Sequence, residues 1–301
     1  MEVFVFLQQL IDGVSLGGVY ALIALGYTMI YGVIMVINFA HGELLMIGAY
    51  AACFILSALG LSPASVVLAF LLAMALGGIL GTLIERLAFR PLWGAPRLNS
   101  LVVAVAVSMI LQNAARVLPF MGSAPRQFPR PAEHLISFGF FSVSNIRLAV
   151  ILVSAALMIL FTVFMRCSKW GKAIRALTWD RSAYGLMGIP VNVVVSFTFA
   201  LGSALAAAGG ILYAFVHPQL SPVMGAMPGL KALAAAMLGG IGSVPGAMLG
   251  GLILGVAETL AGAFISPAYV EGIPFAILII LLLISPSGLL GKNRRGGNIN
   301  A

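Results

Sequence analysis

Of the 301 residues, 61% are hydrophobic and only 8% are charged, and the mean hydropathy is +1.12. A soluble domain carries about one-quarter charged residues and has no interior large enough for this much apolar surface, so the soluble globular classes are excluded. The net charge of +8 does not point to nucleic acid, because the basic residues lie in short segments between apolar runs and not on one soluble face.

The chain opens Met1-Glu2-Val3-Phe4-Val5-Phe6, without the basic region of a cleavable signal, so the first apolar segment is expected to stay in the mature protein. Apolar runs predict helices at 9–36, 42–60, 64–85, 98–118, 145–165, 191–216, 229–241, 246–263 and 273–290. The predicted fold class is all-α: a polytopic transmembrane bundle of 8–9 membrane segments, forming one domain over 1–291 with a short cytoplasmic tail at 292–301. Cys53 falls in an apolar run and Cys167 beside a basic loop, which gives neither a disulfide framework nor a metal cluster; both read as inert packing residues.

Positive charge orders the ends. Arg86, Arg90 and Arg97, then Arg166, Lys169, Lys172, Arg175 and Arg181, then Lys292, Arg294 and Arg295 make 11 residues on one side, against Arg116, Arg126, Arg130 and Arg147, 4 residues, on the other. The positive-inside rule places the larger set in the cytoplasm, the N-terminus outside and the C-terminus inside. If 216–228 and 264–272 both lie outside, the stretch between them enters and returns, and its first arm is short for a full crossing. A hairpin turning at Gly239-Gly240-Ile241-Gly242-Ser243-Val244-Pro245-Gly246 is therefore predicted. Its second arm carries the ridges Gly246-xxx-Gly250 and Gly251-xxx-Gly255, and Gly13-xxx-Gly17 and Gly77-xxx-Gly81 repeat the pattern, which lets helix backbones approach closely in lipid.

Ionisable residues inside apolar runs are costly and are candidates for function: Asp12, Glu43, Lys231 and Glu258. The run Asn38-Phe39-Ala40-His41-Gly42-Glu43 is a polar patch between two strongly apolar segments, expected as a structured turn near the cytoplasmic side. His41 and Glu43, two residues apart, fall on different helix faces, and no HExxH pattern accompanies them, which argues against a metal or acid–base pair. Two readings stay open: Asn38 and His41 cap helix ends while Glu43 pairs with a basic residue, or the patch belongs to a transport path or its gate. Lys231 and Glu258 lie 11 residues before Gly242 and 12 after Gly246, which gives rises of roughly 16 and 18 Å along the two arms, so the charges are expected at similar depth and paired. An intramembrane hydrolase is disfavoured, since Gly242-Ser243 is followed by Val244-Pro245 and His217 falls in an external loop. No Gly-x-x-x-x-Gly-Lys-Ser/Thr sequence is present, so any ATP-driven function needs a partner chain. The cytoplasmic segment 171–190 reads either as a linker lying on the membrane surface or as an amphipathic helix docked on a soluble protein.

Four blocks carry a resemblance: GGVYALIALGYTMIY over 17–31, INFAHGELLMIGAY over 37–50, Arg175-Ala176 with Asp180, Ala183 and Gly188-Ile189, and KALAAAMLGGIGSVPGAMLGGLILGVAE over 231–258. With them the chain resembles, along nearly its full length, the shorter permease subunit of bacterial branched-chain amino acid ABC importers. The resemblance implies an inner-membrane assembly with a second, longer permease, two cytoplasmic ATPases and a periplasmic binding protein. The chain itself would be neither an enzyme nor a cofactor protein. It further implies that Arg175, Ala176, Asp180, Ala183, Gly188 and Ile189 couple to the ATPases. Asn38, His41, Glu43, Lys231 and Glu258 are then candidates for the path or gate, and Gly246, Gly250, Gly251 and Gly255 for helix packing. Leucine, isoleucine and valine are the implied substrates. Urea or short amides, or a transporter working alone, are the alternatives.

Overall fold

The computed structural model describes residues 2–119, 121–138, 141–179, 190–285 and 287–291. The predicted tail 292–301 and the coupling residues Asp180, Ala183, Gly188 and Ile189 lie outside them. Ten α-helices follow one another among the described residues: α1 Glu2–Ile34, α2 His41–Leu59, α3 Pro63–Ile84, α4 Arg97–Val117, α5 Asn145–Cys167, α6 Lys169–Trp179, α7 Val191–Val216, α8 Ala226–Gly239, α9 Val244–Phe264 and α10 Ile273–Ile284. Seven of them (α1 to α5, α7 and α9) are long and apolar enough to cross a membrane, while α8 and α10 are shorter apolar helices. This is the build of a polytopic helical membrane protein. Four short strands, β1 Arg126–Gln127, β2 Leu135–Phe138, β3 Phe141–Ser144 and β4 Gln219–Leu220, pair as β1 with β4 and β2 with β3, both antiparallel.

Local chemistry sets the boundaries. Ser62 accepts a hydrogen bond from the Ser65 N–H and precedes Pro63, so α3 starts on a capped first turn. Beyond Ile84 the helix widens into a π-helical turn, Glu85–Phe89, and tightens into a 3₁₀ turn, Arg90–Leu92. Ser243 caps α9 by accepting from the Gly246 N–H at 3.2 Å, so the serine examined as a nucleophile is a helix cap. The hairpin reverses where Gly240 and Gly242 take φ of +99° and +92°, a region that excludes most side chains. α10 ends at Ile284, short of the expected 290, because Ser285 stands before a proline and is biased away from helix. The chain after it pairs with the end of α8, the N–H groups of Leu289 and Leu290 donating to the carbonyls of Leu238 and Gly239.

α1 runs through the centre. Its Gly13 and Gly17 interlock with Gly251 and Gly255 of the antiparallel α9; a Cβ on Gly13 would stand 2.7 Å from the Val256 Cα, and one on Gly17 2.8 Å from the Leu252 Cα. The other ridge of α9, Gly246 and Gly250, faces Gly239 and Ala235 of α8 instead. One helix thus carries two small-residue ridges for two different neighbours, where lipid offers no hydrophobic drive to hold them. Gly77 and Gly81 set α3 against Ala207, Ser203 and Phe199 of α7 in the same way. α4 differs: only 17% of its apolar window is buried, against 89% for α1, and Val102, Met109 and Ile110 face outward. Of the two cysteines, Cys53 is buried as expected, whereas Cys167, at the last residue of α5, is exposed and is not a packing residue.

Candidate functional site

The α1–α2 connection builds the principal polar site. α1 ends at Ile34, and Met35 takes a left-handed φ of +56°, reversing the chain. Residues 35–40 then climb back into the bundle, because His41 packs on Gly26 of α1, at the point where α1 meets the Gly202 carbonyl midway along α7. A Cβ on Gly26 would meet the His41 Nε2 at 2.5 Å, so glycine there makes room for the imidazole. α2 therefore starts inside the bundle. The patch is not the cytoplasmic-side turn that its sequence suggested.

α8 starts at the same place. A Cβ on Gly42 would stand 2.6 Å from the Gly225 carbonyl oxygen, so the first turns of α2 and α8 abut. Neither N-cap residue, Ala40 or Gly225, supplies a side-chain cap. Two helix N-termini, each a source of partial positive charge, thus meet within the bundle.

Around them lie buried polar side chains. Asn38 Oδ1 accepts from the Ala40 N–H at 3.1 Å, an Asx turn, and Asn38 Nδ2 has no partner among the described residues. The His41 ring lies 4.4 Å from the Tyr27 ring, centroid to centroid, and its imidazole faces the backbone of Ile23 on α1. Glu43 Oε1 accepts from Gln112 Nε2 at 2.7 Å and Ser108 Oγ at 3.0 Å, while Oε2 has no partner among the described residues. The expectation that Glu43 pairs with a basic residue is corrected: two neutral donors on α4 hold it. Asn38, His41 and Glu43 are each at most 1% exposed. Ser108 and Gln112 escaped the sequence reading because α4 also carries Asn99, Ser100 and Asn113, and nothing in the sequence singles out this pair.

Lys231 and Glu258 meet across the hairpin, Nζ to Oε1 at 2.7 Å, both more than nine-tenths buried. Asp12 pairs with Arg147, tying α1 to α5. At the other end of the bundle is a cluster that charge counting treated only as a topology signal. Arg90 Nε and Nη2 donate to the two oxygens of the fully buried Glu85 at 3.0 Å each, and Arg90 Nη2 also reaches Ser196 Oγ at 2.7 Å. Ser196 Oγ in turn lies 2.7 Å from Glu85 Oε2. This clasp joins the π turn of α3 to the first turns of α7. An α-helical reading does not put residues i and i+5 on one face; the π turn does.

Arg175 donates to the Met165 carbonyl near the end of α5, and Ala176 is half-buried on α6. Ile174, Leu177 and Gly171 bury the inner face of α6, and Trp170 stacks on Phe197 at 4.8 Å. The described part of the predicted coupling segment is thus seated on the bundle.

Residues 9–282 match the family described as branched-chain amino acid transport system / permease component. The chain is 41% identical over 298 residues to the high-affinity branched-chain amino acid transport system permease protein LivH of Escherichia coli K12, covering 95% of this chain and 96% of that protein. It is 40% identical to the high-affinity permease protein BraD of Pseudomonas aeruginosa, covering 97% of each chain. A probable branched-chain amino acid transport permease of Methanocaldococcus jannaschii is 30% identical, covering 90% of this chain and 88% of that one.

Proposed function

Because the chain belongs to the branched-chain amino acid transport permease family, we propose that it is a permease subunit of an ABC importer for leucine, isoleucine and valine. The observation that carries this reading is the similarity to LivH over almost the whole of both chains. In the proposed assembly the chain sits in the bacterial inner membrane beside a second, longer permease. Two cytoplasmic ATPases drive it and a periplasmic binding protein supplies it. The distribution of 11 basic residues against 4 supports an N-terminus outside and a cytoplasmic tail at 292–301. Residues 1–291 then form one permease domain of 8–9 membrane segments, including the short hairpin arm α8.

Within it, Asn38, His41 and Glu43 belong to the path or its gate. A buried polar group without a partner is costly in lipid, and such cost persists where another state of the protein supplies the partner. Lys231 with Glu258 is a structural tie. Residues 175–189 couple the bundle to the ATPases. Gly188→Leu and Ala183→Trp are expected to keep normal membrane levels and lose copurification with the ATPases, and Asp180→Ala to do so mildly. Full uptake with an intact complex in Gly188→Leu contradicts the coupling assignment.

Proteoliposomes holding the whole assembly test the function: ATP-dependent uptake of leucine is expected. Uptake of urea or short amides in its place, or leucine uptake without the ATPases, overturns it.

A further inference from the structure

A cleft of about 240 Å³ opens between the C-terminal end of α1 and the N-terminal end of α4, with the π and 3₁₀ turns after α3 as its third wall. Its size suits a small metabolite and falls short of a drug-sized ligand. Ile34, Val36, Phe89 and Leu92 supply apolar surface, and Arg97 and Ser100 supply polar groups.

The polar groups sit at opposite poles. On the α4 side, the N-cap Pro96 makes no side-chain cap and the Asn99 N–H donates to the Pro96 carbonyl, which leaves the Arg97 and Leu98 N–H groups without a partner among the described residues. Ser100, 7% exposed, makes no hydrogen bond among the described residues, and Arg97 makes neither a hydrogen bond nor an ion pair among them. The neighbouring Arg90 is already engaged by Glu85, which leaves Arg97 to act on the cleft. On the α1 side, the left-handed Met35 ends the helix; its N–H satisfies the Tyr31 carbonyl, and among the described residues no backbone N–H reaches the carbonyls that follow. An anion is stabilised at a helix N-terminus and a cation at a C-terminus.

We infer that this cleft binds a small zwitterion with an apolar side chain. Its carboxylate is held by Arg97, Ser100 and the first turn of α4, its ammonium by the terminal carbonyls of α1, and its alkyl group by Val36, Phe89 and Leu92. An aliphatic α-amino acid has this chemistry. The inference rests on the proposed function for one point: the orientation there puts this end in the cytoplasm, so the ligand is the released product.

The test is equilibrium binding of radiolabelled leucine to the nucleotide-free permease–ATPase complex, without binding protein, in nanodiscs of zwitterionic lipid. Leucine should bind, and 4-methylpentanoate and 3-methylbutylamine, each lacking one charged group, should bind at least about tenfold more weakly, the scale of one charged hydrogen bond. Arg97→Gln should weaken leucine binding by about tenfold or more, Ser100→Val by less, and Leu92→Trp should abolish it by filling the cleft, all at normal membrane levels. Unchanged affinity in both Arg97→Gln and Leu92→Trp overturns the inference, as does an anionic lipid that takes the site while leucine does not. ATP-driven leucine uptake measured in parallel separates the two proposals. Uptake by the wild type without binding in the cleft overturns this inference alone. Arg97-dependent binding without uptake supports it and overturns the transport reading.

Discussion

The clasp of Glu85, Arg90 and Ser196 and the patch of Asn38, His41 and Glu43 are both polar and both set in an apolar bundle, yet they are finished differently. In the clasp, both carboxylate oxygens of Glu85 have partners, and the guanidinium and hydroxyl close a small ring of hydrogen bonds. In the patch, Asn38 Nδ2 and Glu43 Oε2 have no partner among the described residues. A closed network rigidifies what it joins, here the end of α3 and the start of α7. An open one carries a standing cost and has something to gain by rearranging. α4 fits the second description too, since its grip on Glu43 is polar and its apolar packing is slight.

Breaking the clasp should have the largest effect. Glu85→Ala leaves the Arg90 charge without its carboxylate, and a loss of about 3 kcal/mol, the low end for a broken buried pair because Arg90 is 31% exposed, should lower the thermal midpoint of the purified protein and its membrane level. Next come Lys231→Ala and Glu258→Ala, each expected to reduce assembly with the second permease more than the double variant does. Strictly additive losses would show that the two charges do not support one another. Glu43→Gln should then sharpen the contrast: thermal stability within about 1 kcal/mol of the wild type, because the amide oxygen still accepts from Ser108 and Gln112, but ATP-driven uptake reduced at least tenfold. Normal uptake in Glu43→Gln would assign the patch to structure. The smallest effect is expected for Ser108→Ala, which removes one of two donors to Glu43 at a cost of about 1 kcal/mol in a melting assay, with uptake nearly retained.

Much of this architecture could be read from residue order alone. Apolar runs located the seven helices that are long and apolar enough to cross a membrane, since a span must be apolar over its length. The glycine ridges of α9 were visible as spacing, although which ridge meets α1 and which meets α8 depends on the hairpin's rotation. Lys231 and Glu258 could be matched in depth because both arms of the hairpin are regular helix. What sequence could not show comes from irregular backbone. The clasp depends on a π turn that puts Glu85 and Arg90 together. The depth of His41 depends on a linker that reverses at Met35, and a linear reading places any connection between two spans at the membrane surface. The donors to Glu43 come from a helix 65 and 69 residues away, a pairing no local pattern encodes.

The central claim is that the open patch, unlike the closed clasp, is exposed during transport. It is tested most directly by thiol accessibility in the whole complex, with Cys53 and Cys167 replaced and a single cysteine at Glu43 or at Ser196. A small water-soluble thiol reagent should leave both positions unmodified at rest. Once the complex is trapped with ATP, it should modify Glu43→Cys and still spare Ser196→Cys. A cysteine at Glu43 that stays unmodified in the resting, ATP-trapped and turning-over complexes would contradict the account.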